Sequence, residues 1–147
     1  MDIYERLKKD HVRQRDLAAR IMETSGDSAD RRELFARFRE EVDSHADAEE
    51  QTFYAALIEK PDGQEKARHS ISEHKEAADL LEELDELDMG SGGWLNKFKK
   101  LREEILHHLD EEEKEVFPLA EKLIADDKAT DLAQAFDKRK AAEKRNH

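Results

Sequence analysis

Cysteine is absent from this 147-residue chain. That excludes disulfides, thiolate metal sites and cysteine nucleophiles. Only two prolines and five glycines are present, so little interrupts long helices. Aromatic residues make up 6% of the chain. No apolar run approaches the roughly 20 residues of a membrane span. The opening Met1-Asp2-Ile3-Tyr4-Glu5 carries no signal-peptide core, so a soluble cytoplasmic protein is expected. The net charge of −12 argues against nucleic acid as a partner. One basic cluster, Lys138-Arg139-Lys140 with Lys144-Arg145, reads as a solvated tail.

What is present is charge and helical periodicity: 44% charged and 37% apolar residues. The length suits a single domain. Apolar residues recur every three or four positions, the pattern of amphipathic helices rather than sheets. Helix 1 is expected over about Asp2 to Thr24, stopped by Ser25-Gly26-Asp27-Ser28. Helix 2 is capped by Ser28 or Asp30 and reaches Ile58 to Lys60, where Pro61-Asp62-Gly63 turns the chain. Helix 3 covers about Gln64 to Leu87. Helix 4 starts near Trp94 and should kink or restart at Phe117-Pro118. Short connectors predict an all-α, antiparallel up-down-up-down four-helix bundle over residues 1–126. Residues 127–147 are expected to form a short fifth helix, from Thr130 to about Lys144, and the basic tail. Leu132, Ala133 and Phe136 give that helix an apolar face that could cover one end of the bundle.

Two pairs, His45/Glu49 and His108/Glu112, place an imidazole and a carboxylate four residues apart, on one helix face. The same spacing at His69/Glu73 and His107/Glu111 means little in a Glu-rich chain. The first two pairs differ because their faces are otherwise apolar. Phe35, Phe38, Val42 and Phe53 flank one; Phe98, Leu101, Ile105 and Val116 flank the other. Buried alone, such polar groups would be costly, and a metal is the leading compensation. His11 and His74 each precede a member of these pairs by 34 residues. A single shift of 63 residues carries His11, His45 and Glu49 onto His74, His108 and Glu112. It also carries Leu17 to Leu80, Phe35 to Phe98 and Val42 to Ile105. The chain reads as two related helical hairpins, each supplying two histidines and one glutamate at matching depth.

Four imidazoles and two carboxylates suit iron, manganese or zinc, and suit calcium or magnesium poorly. With both glutamates bridging, each of two ions receives two nitrogens and two oxygens. A bridging oxo or hydroxo group adds a fifth ligand and leaves a sixth position open. A non-haem di-iron pair meeting O2 is the natural reading. Asp10 and Glu73 point about 100° away from their histidine neighbours. They read equally as groups that tune the site and as solvent-facing side chains. Tyr4 and Tyr54 lie within reach but are not expected as ligands. His107 reads as a surface neighbour, and His69 and His147 as solvent-exposed. Glu111-Glu112-Glu113 reads as a solvated run with Glu112 alone facing inward, and Trp94, Phe98 and Phe117 as packing residues.

Together, Asp10-His11, His45 to Phe53, Glu73-His74, and His107 to Glu113 followed by Phe117-Pro118 resemble the hemerythrin-like, or HHE cation-binding, domain over residues 3 to 125. The resemblance implies an antiparallel four-helix bundle with a di-iron centre that binds O2 reversibly or senses oxygen or redox state. It implies His11, His45, Glu49, His74, His108 and Glu112 as ligands. Oxygen-carrying hemerythrins have an extra histidine on the third helix, four residues from its partner. Here Ser70 and Ala78 hold those positions, and His69, five back, lies off the face. That departure weighs against reversible carriage and leaves room for peroxide chemistry, sensing or another metal. The alternatives are a di-iron oxidase or peroxide-consuming enzyme, and a structural bundle with a stabilising metal. Ferritin-like storage is less favoured, since only Glu104 to His107 supplies Glu-x-x-His.

Overall fold

The computed structural model describes residues 1–146, and of Asn146 the backbone alone; the expectation for His147 lies outside the described residues. Every regular element among them is helical. Helix α1 spans Ile3–Met22 and α2 spans Ala29–Glu49. A wide π-helical turn, Glu50–Tyr54, carries α2 into a last turn, Ala55–Leu57. Helix α3 spans Gln64–Glu86 and α4 spans Gly92–Glu111. A second π-helical turn, Glu112–Val116, leads α4 into Phe117–Leu123, where Pro118 stands in the first turn. Helix α5 spans Asp126–Asn146.

Local chemistry sets most boundaries. Asp2 and Glu5 cap α1 reciprocally, the Glu5 amide donating to Asp2 Oδ1 at 2.9 Å. Ser28 accepts from the Arg31 amide at the start of α2, and Ser91 from the Trp94 amide at the start of α4. Gly26 turns with φ of 64°, a conformation that favours glycine. Buried Arg31 donates to the carbonyls of Thr24 and Met89, tying both connectors at that end together.

The expected restart at Phe117-Pro118 is present. The equivalent wide turn after Glu49 has no proline and was not expected. Helix α5 also departs from the reading. It begins at Asp126 and runs for 21 residues, so it is not short. It lies along α1 and α2 instead of closing one end. Phe136 is fully buried against His45 and Arg6. Nor is the basic segment simply solvated: Lys140 is 6% exposed.

Apolar side chains form two clusters. One joins Ile3, Tyr4, Leu7, Phe53, Phe117 and Phe136. The other joins Leu17, Ile21, Phe38, Leu81, Trp94 and Phe98, where Phe35 meets Trp94 edge-on. Trp94, Phe98 and Phe117 are packing residues, as expected. Between the clusters, α1 to α4, with the wide turn that follows α4, carry the polar residues described next.

Candidate metal centre

All six residues singled out by the repeat converge in this layer. Two groups of four form there: His11, His45, Glu49 and Glu112, and Glu49, His74, His108 and Glu112. Within each group the donor atoms lie within 4.8 Å of one another. Glu49 and Glu112 are common to both groups, the arrangement needed for two shared carboxylates. Both are fully buried, as is His11, and His45 is 3% exposed.

The imidazoles turn Nε2 inward. His11 Nε2 lies 2.9 Å from Glu112 Oε1, and His74 Nε2 lies 3.1 Å from Glu49 Oε1. His74 and His108 bring their Nε2 atoms to 3.1 Å. Proximity is not pairing here. His11 Nε2, His45 Nε2, both oxygens of Glu49 and Oε1 of Glu112 are buried and make no hydrogen bond. Orphaned polar atoms in a core are costly. Several of them converging on one spot fit a cation, which would satisfy them together.

Outside the ligand layer, every Nδ1 has a carboxylate. His45 Nδ1 meets Asp10 at 2.8 Å, and His108 Nδ1 meets Glu73 at 2.7 Å. His11 Nδ1 meets Glu113 at 2.6 Å, and His74 Nδ1 meets Glu50 at 2.8 Å. An ionised carboxylate only accepts, so each Nδ1 carries hydrogen and a neutral ring presents the Nε2 lone pair inward. The 63-residue shift maps Asp10 and His45 onto Glu73 and His108. It also maps Glu50 to Glu113, and these two reach across to the opposite hairpin's His74 and His11. Asp10 and Glu113, each open in the sequence reading to solvent, are therefore part of the site. The sequence reading noted the acids before His11 and His74 but missed those after Glu49 and Glu112, Glu50 and Glu113, which recur at the same shift of 63 residues. The wide turns at Glu50 and Glu112 are where consecutive acids, one facing the ligand cluster and one facing a histidine, share the backbone.

The field in the metal-free cluster follows from Glu49 and Glu112 first and then from these outer carboxylates. Burial disfavours charge on His45, but Glu49 and Asp10 outweigh it and raise its pKa to about 10. Burial likewise opposes charge on His11, His74 and His108, yet their carboxylate partners raise all three. Glu113, hydrogen-bonded by His11 and then Arg15, falls to about 2. Burial alone would raise Asp10, but His45, Arg6 and Lys140 hold it far below the ordinary range.

The tyrosines separate. Tyr54 donates to Glu112 Oε2 at 2.5 Å and also meets Ser70, the buried residue four positions before His74. Burial and then the two glutamate charges push its phenol well above 10.0. Tyr4 packs edge-on against Phe53 and Phe117, away from the donor cluster. Its buried hydroxyl has no partner, and burial raises its pKa to about 12. His69 and His107 are exposed, as expected, and both approach Glu111.

One side of the centre is open. A cleft of about 770 Å³ is lined by His45, His74 and His108 at depth, by Val42, Ile71 and Ile105 along its walls, and by Lys75, Lys100 and Glu103. Ala78, the other position where an extra histidine could stand, also borders it.

Residues 2–120 match the family model described as the hemerythrin HHE cation binding domain. No curated protein matches the chain. Among solved structures, the chain is similar to a hemerythrin HHE cation binding domain-containing protein from Mycobacterium kansasii. The TM-score is 0.89 at 24% identity, covering 99% of this chain and 89% of that one.

Proposed function

Since the chain belongs to the hemerythrin HHE cation-binding domain family, we propose that it is a non-haem di-iron protein that binds O2 or senses oxygen or redox state. The observation that carries this reading is the set of buried, unpaired donor atoms on His11, His45, Glu49 and Glu112. In this reading His11 and His45 would hold one iron and His74 and His108 the other, with Glu49 and Glu112 available to both. On the same reading α1 to α4 form an antiparallel up-down-up-down bundle over residues 1–126, a separate unit from the C-terminal segment 127–147, in a cytoplasmic protein. The nitrogen-rich donor set without thiolate suits iron. When bound, the ions would supply a redox-active site for O2 or a related small molecule, with a bridging oxo or hydroxo group between them. Asp10, Glu50, Glu73 and Glu113 hold the imidazole rings in orientation.

A second reading, a di-iron oxidase or peroxide-consuming enzyme, is favoured by Tyr54. Its phenol sits on Glu112 as a proton-bearing group beside the centre, and the cleft is roomier than O2 requires.

The test is metal content with an absorption spectrum of the aerobically purified chain, repeated on His45→Ala and Glu112→Ala. About two irons per chain and an oxo-to-iron charge-transfer band, both diminished in the variants, are expected. A chain without metal, or metal indifferent to both substitutions, overturns the reading. Reduction followed by O2 separates reversible binding from irreversible oxidation.

A further inference from the structure

The two halves of the centre are alike in their ligands and unlike in what stands behind them. Asp10, behind His45, is 4% exposed. It accepts from His45 Nδ1 at 2.8 Å and from Arg6 at 2.8 Å, and Lys140 Nζ lies 2.9 Å away. Lys140 also meets Glu41, at 2.6 and 3.0 Å. Both Lys140 and Glu41 are buried. This ammonium reaches the site from α5, beyond the residues matched by the family model.

Glu73 stands in the same place behind His108 but meets two imidazoles, His108 at 2.7 Å and His69 at 3.5 Å, and no lysine or arginine among the described residues. The shift of 63 residues exchanges Arg6 for His69 and Glu41 for Glu104, which borders the open cleft. Glu73 side chain is 18% exposed. One half is therefore the more deeply buried and is backed by fixed positive charge; the other is more exposed and has an imidazole, His69, in place of that charge.

We infer that Lys140 is a positioning residue for the His11/His45 half of the centre. It fixes Asp10, Asp10 fixes the His45 ring, and docking of α5 thereby makes the two cation positions unequal. Without Lys140, Arg6 still holds Asp10 Oδ1, but Oδ2, the oxygen that His45 meets, loses its fixed charge partner. A buried carboxylate oxygen so released draws water or swings toward another donor, and the imidazole it orients loses its aim. Removing such an outer partner ordinarily costs about 10–100-fold in metal affinity. The inference rests on the di-iron reading and concerns retention of the ions, not turnover.

Ferrous iron loaded anaerobically and then challenged with a chromogenic Fe(II) chelator provides the test. Wild type should release its iron in two phases, the faster from the more exposed His74/His108 half. Lys140→Met should speed the slower phase at least about tenfold and leave the faster one unchanged. Lys140→Arg, which keeps the charge, should restore most of the slow phase. Asp10→Asn should speed the same phase, and Lys140→Met should add nothing further in that background. A purely structural lysine would instead give additive effects. If Lys140→Met does not fold, Lys140→Gln passes through the same cycle. A slow phase unchanged in the folded variant, or effects that add across the cycle, overturns the inference. A wild-type chain that takes up no iron removes the di-iron reading and this inference together; two ions in wild type with an indifferent variant removes this inference alone.

Discussion

Tyr54 on the first hairpin donates to Glu112 on the second at 2.5 Å, while the residue 63 positions after Tyr54 is Phe117, which has no hydroxyl. The repeat is thus broken at a hydrogen bond to one of the two shared carboxylates. Tyr54→Phe should lower metal-free stability by about 1–3 kcal/mol, the worth of a buried bond to a charged group. Urea unfolding of the metal-free chain checks this. Iron content should stay at the wild-type value, because Glu112 keeps both oxygens.

Metal-free stability should peak in mildly acidic solution. His45 is raised from 6.5 to about 10, so its contribution is complete below pH 6.5 and is lost as pH rises toward 10. Glu113 is lowered from 4.5 to about 2, so its contribution is complete above pH 4.5 and is lost as pH falls toward 2. Between those limits both are intact. Thermal melts followed by circular dichroism should show a Tm that falls on either side, and added metal, which needs the deprotonated Nε2, should bind more tightly as pH rises. A metal-free Tm that does not fall between pH 6.5 and 10 would contradict the assignment.

Phe136 anchors α5 edge-on to His45 at 5.4 Å, with Arg6 over its ring at 5.0 Å. Phe136→Ala should cost about 3–5 kcal/mol by opening a cavity there. The urea midpoint reads the loss, and the slope should change little if unfolding stays cooperative.

Gly63 is needed for space. A Cβ there would stand 2.6 Å from the Leu57 carbonyl oxygen and 2.7 Å from its Cδ1. Gly63→Ala should destabilise by about 1–3 kcal/mol, as overpacking does. At Gly92 a Cβ meets nothing within 4 Å, and Gly92→Ala should be nearly neutral by the same melt.

The helices were legible because amphipathic periodicity is a local property of the chain, and Ser28, Pro61 and Pro118 mark their boundaries. The six converging residues were legible because the chain states them twice. The acids behind the histidines were not. Asp10 and His11 are neighbours in sequence, yet Asp10 serves His45, 35 positions away, and Glu113 serves His11 across 102. The wide turn after Glu49 has no proline to announce it. Lys140 sits in a charged run that looks like any solvated tail, and its buried partner Glu41 lies 99 residues earlier. Long-range pairing of ordinary surface residue types leaves no periodic trace.

The crossed carboxylates bear on how the molecule assembles. Each group of four takes one glutamate from the opposite hairpin, and in each half one histidine is held by an acid from the other. Neither hairpin alone completes a coordination shell. On the di-iron reading, a cation arriving during folding would be retained only once both hairpins had docked, so ion capture would act as a checkpoint that rewards closure and leaves half-formed chains empty.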